Sequence, residues 1–124
     1  MANMIPISTV TVGSGGVATI DFVGIPQTYT DLRVVYSTRC STTSNRMYYD
    51  FNGSTASQTT RFIYADGSGA ASTTDTRHWI YGEQSAYTAN TFSSGDIYIP
   101  NYTSSNYKSS SADAVNENNA STAY

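Results

Sequence analysis

The amino-acid sequence predicts an all-β protein, an antiparallel two-sheet β-sandwich of about eight short strands in a jelly-roll-like arrangement. The first reason is composition, because 18 Ser, 18 Thr and 11 Tyr stand against a single Leu. Straight-chain residues that favour helices are scarce, whereas Thr, Tyr, Val and Ile suit the surface of a sheet. The second reason is that short apolar runs with a period of two recur between turn residues, and no segment of ten residues has helical periodicity.

Eight short runs alternate apolar and polar residues. The regular spacing of these runs along the chain is typical of sandwiches and jelly rolls. The first two runs flank the glycine-rich link from Gly13 to Gly16 and predict a hairpin, since glycine takes positive φ without a steric penalty. Two stretches of small polar residues, 40–45 and 70–76, predict loops. The predicted strands are residues 5–12, 17–23, 32–38, 46–52, 61–65, 77–81, 96–99 and 107–115.

The apolar faces of these runs predict the core. The length corresponds to one domain, residues 1–124. Only 20 residues are Val, Ile, Leu or Phe, so tyrosines and the single Trp must supply core material and the core is small. The residues predicted to form the interior are Ile20, Phe22, Val34, Tyr36, Met47, Tyr49, Phe51, Phe62, Trp79, Ile97 and Ile99.

Charge and hydropathy exclude several classes of partner. Six basic and nine acidic residues are scattered singly and give a net charge of -3, so no basic stripe is available to neutralise phosphates and no nucleic-acid binding is expected. The longest apolar runs are far shorter than the roughly 20 residues that span a bilayer. Residues 1–7 lack the pattern of a signal peptide. We therefore expect no membrane role and synthesis in a cytoplasm.

The residues with potential for catalysis or metal binding have simpler interpretations. His78 is the only histidine, and without a nucleophile-elbow pattern it is interpreted as a rim residue beside Trp79. Segments 50–54 and 66–69 resemble fragments of calcium loops but have too few acidic ligands, and turns explain their Asn, Asp and Gly residues. Cys40 lies in a predicted loop, where no reactive role is expected. The sequence thus predicts no enzyme activity, no metal and no cofactor.

Tyrosines are the candidate interaction residues. Tyr is enriched at protein interfaces, and its ring also stacks on sugars. We favour an interface or core role, with a sugar site as the alternative. The candidate interface residues are Tyr48, Tyr87, Tyr98, Tyr102, Tyr107 and Tyr124.

Several ordered segments, which cover most of the chain, resemble a family of small tailed-bacteriophage proteins. They are TVGSGGVATIDFVGIPQTYTDLRVV (11–35), DFNGST (50–55), the Gly/Ala/Ser loop after Tyr64, ANTFSSGDIYIPNYTSS (89–105) and ENNASTAY (117–124). The resemblance implies a β-sandwich and a virion structural protein, of the kind described as capsid decoration or tail-associated. No catalytic residues are carried over, because the shared segments contain turns and strand faces.

From this resemblance we expect a capsid decoration, or cement, protein that binds the major capsid protein on the outer capsid and stabilises contacts between capsid subunits. The alternative is a tail-fibre or receptor-binding module that recognises host surface glycans. A homo-oligomer is expected, and a trimer is favoured because it matches the local three-fold axes of a capsid lattice. Its location would be the virion surface, after synthesis in the host bacterial cytoplasm. Residues 107–124 are expected to pair with a neighbouring subunit or to tether the protein to the capsid, since open sheet edges recruit strands.

Overall fold

A computed structural model describes residues 3–65 and 68–116 of the chain. These residues form seven β-strands and no helix, and each strand pairs antiparallel with its neighbours. The predicted all-β, antiparallel class is therefore confirmed. The strands are β1 (Leu32–Thr38), β2 (Arg46–Tyr48), β3 (Thr60–Ala65), β4 (Ala70–Asp75), β5 (Trp79–Tyr81), β6 (Ser93–Ile99) and β7 (Ser111–Val115).

One sheet has three strands, in the order β1-β6-β7. In β1 the half-buried Leu32, Val34 and Tyr36 alternate with exposed residues, as the period of two predicts. The middle strand, β6, turns Ile97 and Ile99 into the interior. β1 and β7 form the two edges of this sheet.

Two further antiparallel pairs, β2-β5 and β3-β4, complete the described fold. Met47 of β2 pairs with Ile80 of β5, and both pack in the core beside the three-stranded sheet. On the opposite face of this ladder, Trp79 stacks on Phe62 of β3, with 3.8 Å between the ring centroids. The β2-β5 ladder therefore lies between the three-stranded sheet and the β3-β4 hairpin.

The core is small. Four of the described hydrophobic residues are buried, namely Trp79, Ile80, Ile97 and Ile99. The partly buried hydrophobic residues that pack against Ile80, Ile97 and Ile99 are Leu32, Val34, Tyr36, Met47, Tyr49, Phe51 and Tyr102. The predicted interior residues are all found here, or stack on this core as Phe62 does, except Ile20 and Phe22.

The predicted N-terminal hairpin is wrong. Its glycine turn forms, with the Gly16 N–H donating to the Gly13 carbonyl at 3.0 Å, but neither of the two strands that should flank it is present. Ile20 and Phe22 are 43% and 40% exposed, so their assignment to the interior is wrong as well. A two-stranded hairpin is marginal in water unless one face packs on other elements, and no described element covers this one.

The loop predicted at residues 70–76 is also wrong, because Ala70–Asp75 is β4 and pairs with β3 along its whole length. Its Ala, Ser and Asp residues carry little strand propensity, and only Thr73 and Thr74 favour a strand. The partner strand therefore decides the conformation here. β1 has its predicted bounds, whereas β2, β5 and β7 are shorter than predicted and β6 is longer.

The predicted C-terminal tail, 107–124, is described only in part. Within it, Ser111–Val115 pairs with β6 of the same chain, so this stretch belongs to the protomer. Residues 117–124, with the candidate Tyr124, lie outside the described residues. No helix of the described part of the chain has the length and apolar character needed to cross a membrane.

Candidate functional site

A groove of about 450 Å³ opens between β3 and β7. Four consecutive residues of β3, 62–65, line one side, and three consecutive residues of β7, 112–114, line the other. The remaining lining residues are Ile80 and Tyr81 of β5, together with Asn45, Tyr87 and Asn116.

Both walls of the groove are strand edges. Successive residues of a strand point to opposite faces, so a wall of consecutive residues presents the edge of the backbone. Among the described strands β3 pairs only with β4, and β7 only with β6. Neither β4 nor β6 lines the groove, so the edges that face it are the ones without a partner among the described strands. Such edges present backbone N–H and C=O groups that bind further strands.

The β3 wall is held in place by a cluster around Trp79. Phe62 stacks on the indole with an interplanar angle of 29°, and the Arg46 guanidinium lies 4.7 Å from the indole centroid. The Asp75 carboxylate accepts hydrogen bonds from the indole N–H at 3.0 Å and from Arg46 at 3.1 Å. The backbone N–H of Thr76 and then the indole N–H lower the pKa of Asp75. The wall is thus positioned by contacts within the chain.

The loop 84–91, which brings Tyr87 to the groove, is organised by Arg39. The two Nη atoms of this one side chain donate to four backbone carbonyls at 2.9–3.2 Å, and Nη1 also donates to the Thr91 hydroxyl. A planar guanidinium suits such multiple donation. The carbonyls belong to Ser85, Tyr87, Thr88 and Thr91.

Residues 3–24 form an N-terminal arm that is exposed along its whole length. The arm makes one backbone–backbone hydrogen bond, the one within its glycine turn. It makes no such bond to the rest of the described chain. Among the described residues, 16 large hydrophobic side chains are exposed and nine of these lie in the arm, whereas four hydrophobic side chains are buried. Contiguous exposed apolar surface is a common feature of interaction sites.

The linker between the arm and β1 is fastened where β6 ends. The Tyr102 hydroxyl donates to the Pro26 carbonyl. Asp31 accepts hydrogen bonds from the Tyr98 hydroxyl at 2.8 Å and from the Asn101 N–H at 2.9 Å. The Asn101 and Tyr98 donors lower the pKa of the Asp31 carboxyl. The arm therefore leaves the body from a fixed point.

The described candidate tyrosines divide between several places. Tyr98 and Tyr102 both fasten the linker, and Tyr102 also packs against the core. Tyr87 lines the groove. Tyr48 is 47% exposed, and Tyr107 is 99% exposed. The structure thus brings two of the candidates together.

Three titratable side chains, His78, Glu83 and Cys40, have surroundings that are typical of structural residues. His78 stacks on Tyr49 with 5.2 Å between the ring centroids, and burial lowers the pKa of the imidazole. Glu83 is fully buried, and its Oε1 accepts a hydrogen bond from Thr91 at 3.4 Å. Burial and the nearby Glu83 raise the pKa of the Cys40 thiol, which disfavours the reactive thiolate. No group of three or more His, Cys, Asp or Glu within residues 3–65 and 68–116 is placed to hold a metal ion.

Arg39 and Asp31 are not among the sequence-predicted site residues, and of the groove residues only Tyr87 is. One wall, β3, pairs with β4, whose small residues predict a loop. The other wall, β7, has only a weak alternation of apolar and polar residues. The site is therefore created only when distant segments pair. Comparison with protein-family models, curated proteins and solved structures gives no match to this chain. The phage resemblance stays a prediction.

Proposed function

We propose that the protein is a non-enzymatic structural protein of the bacteriophage virion, a capsid decoration protein that binds the outer capsid and stabilises contacts between copies of the major capsid protein. The resemblance over most of the chain supports the phage assignment. The observation that carries the structural role is the N-terminal arm, because it leaves nine large hydrophobic residues exposed. A protein with such a surface works in contact with other chains.

The total surface supports the same proposal. The accessible surface is 8973 Å², whereas a compact monomer of 13.4 kDa exposes about 6,500 Å². The excess of about 2,500 Å² is as large as the share of one chain in an extensive permanent interface. Burial of this surface between chains would add stability that the small core of the protomer lacks.

The finer architecture is part of the proposal. The three-stranded sheet and the β2-β5 ladder would form the two layers of a β-sandwich with a jelly-roll-like order, and packing of Ile80 against Ile97 and Ile99 supports it. The assembled form would be a homotrimer, which suits the local three-fold positions of a capsid lattice. It would lie on the virion surface after synthesis in the host bacterial cytoplasm.

Copy number tests the proposal. Quantitative mass spectrometry of purified virions should find many copies in a fixed ratio to the major capsid protein. Capsids without the protein should lose resistance to heat and osmotic shock, and addition of the purified chain should restore it. A Tyr107→Ala chain should fold normally, because the ring is fully solvated, and any loss of capsid affinity would place Tyr107 in the contact.

The alternative, a receptor-binding module, gives the opposite results. Such a module would be present in few copies at the tail and would bind host cells or purified polysaccharide. Capsid stability would not depend on it. Low copy number together with glycan binding would therefore overturn the decoration role.

A further inference from the structure

We propose that residues 17–23 of the arm fill the groove of a second copy of this chain, where they add a strand between its β3 and β7. Each copy has one arm and one groove, so a closed ring of copies leaves neither unfilled. The inference concerns copies of this chain alone. Its test contains no capsid, so its failure would leave the proposed capsid role standing.

The walls of the groove determine the class of occupant. Each wall is a backbone edge with N–H and C=O groups, and an extended polypeptide offers the complementary groups to such an edge. The four residues of the β3 wall span about 13 Å at roughly 3.3 Å per residue. Residues 17–23 are longer than this wall and can cover it completely.

The side-chain pattern of residues 17–23 suits a half-buried strand. Ala18, Ile20 and Phe22 share one face, and Ile20 and Phe22 are exposed in the protomer although their type favours burial. Asp21, the one charged residue of the arm, falls on the opposite face, where it can remain solvated. This segment therefore has one face to bury and one to leave in water.

The other apolar stretch of the arm fits the groove less well. Pro6 lies within residues 5–12 and has no N–H to donate, and proline is excluded from strands that pair on both edges. Residues 17–23 contain no proline. The groove also offers them an apolar contact, since Ile80 lines it between the two walls.

No residue of the arm lines the groove in the protomer, which favours a second copy as the donor. The arm leads into β1, and β1 and β7 are the opposite edges of the three-stranded sheet. The linker is fastened beside the end of β6 through Pro26 and Asp31. The arm therefore leaves its own body from a fixed point, and in the protomer it remains exposed along its whole length.

The surface area agrees with exchange between copies. A monomer with about 2,500 Å² of excess surface has enough to bury in a permanent homo-oligomeric interface. The arm holds most of the exposed large hydrophobic residues. Docking of residues 17–23 would remove two of them, Ile20 and Phe22, from water.

Disulfide trapping between two differently tagged chains tests the proposal. Both carry Cys40→Ser, and one carries Ile20→Cys while the other carries Ala112→Cys. Ala112 pairs with the buried Ile97 and so lies on the inner face of the β7 edge, and same-face neighbours on paired strands are close enough for a disulfide after small adjustment. A mixture oxidised at micromolar concentration should form a cross-linked pair that carries both tags. A chain with Val35→Cys, on the outer face of β1, is the matched control and should not cross-link to Ile20→Cys.

Two results would overturn the proposal. The first uses a single chain that carries both Ile20→Cys and Ala112→Cys. If this chain cross-links within itself while the mixture of singly substituted chains forms no cross-link, the arm fills its own groove. No cross-link in either sample would show that the arm does not occupy the groove. A Phe22→Cys chain in place of Ile20→Cys covers a register shift of two residues, since both side chains lie on the same face.

A charge scan of the arm gives an independent measurement. Ile20→Asp should raise the dissociation constant of the oligomer about 10- to 100-fold in sedimentation experiments, because it buries a charge in place of an apolar side chain. Thr19→Asp on the opposite face should leave it nearly unchanged. Trp79 fluorescence would verify that both variants keep the fold. Equal effects at the two positions, or a wild-type chain that stays monomeric at micromolar concentration, would contradict the exchange.

Discussion

The phenol ring of Tyr36 lies over Gly95, its partner residue in β6. A Cβ built at Gly95 would come within 2.5 Å of the Tyr36 Oη and 2.8 Å of its Cζ, and it would collide with the backbone oxygen of Asp113. From this position the Tyr36 hydroxyl donates to the Tyr81 carbonyl at 3.2 Å. The missing side chain at Gly95 thus allows one phenol to join the three-stranded sheet to β5, beside the groove.

Gly95→Ala should destabilise the fold by about 1 to 3 kcal/mol, the usual cost of an oversized side chain in a packed site. The new methyl group would displace either the Tyr36 ring or the β7 backbone. Chemical denaturation followed by Trp79 fluorescence measures the change. Gly13→Ala is the matched control, because no atom lies within 4 Å of a Cβ at that position. Equal stability of the two variants would contradict the close packing of Tyr36 on Gly95.

The fold should lose stability in alkali because of Tyr36. Burial, with smaller effects of the Asp113 and Asp96 charges, raises the pKa of Tyr36 from 10.0 to about 12. A raised folded-state pKa favours the neutral phenol, so this stabilisation is complete below pH 10 and is lost as the pH rises through 12. The free energy of unfolding should therefore fall over this range, and Tyr36→Phe should flatten the fall. Tyr107→Phe, a change at a fully solvated ring, is the matched control variant.

Arg39→Lys should loosen the loop 84–91 almost as much as Arg39→Ala. A lysine ammonium cannot supply the planar pair of nitrogens that now donates to four carbonyls. We expect a loss of about 2 kcal/mol in stability from the missing charge-assisted hydrogen bonds. Hydrogen exchange should show faster exchange of the Ser85 and Tyr87 amides, which donate within and beside this loop. Full protection of these amides in the lysine variant would contradict the role of the guanidinium.

Asp31→Asn should weaken the attachment of the linker in a pH-dependent way. The Asn101 N–H and the Tyr98 hydroxyl lower the pKa of Asp31 below 3.8. A lowered folded-state pKa means that the stabilisation is present above pH 3.8 and is lost as the pH falls through the folded value. The two proteins should therefore differ in melting temperature near neutrality and converge in acid. Asp21→Asn, a change in the exposed arm, is the matched control variant.

Individual strands could be predicted from the sequence because alternate residues are apolar where one face of a strand is buried. β1 has its predicted bounds, since Leu32, Val34 and Tyr36 are inward residues with no conflicting signal. Ile97 and Ile99 are in the core for the same reason. The alternation around Ile20 and Phe22 is equally regular, yet these residues stay exposed. A period of two shows that one face of a segment is apolar and favours burial. It does not show which chain covers that face.

The sequence by itself determined that this protein is all-β, that its core depends on aromatic residues and that apolar residues alternate along its N-terminal arm. Only the tertiary structure decided that Ala70–Asp75 is a strand, that one glycine must lack a side chain beneath Tyr36, and that a groove lies between the edges of β3 and β7. Strand identity follows from side chains that are neighbours in sequence. A strand edge without a partner arises from pairing between distant segments, because backbone hydrogen-bonding groups are the same in every residue type except proline.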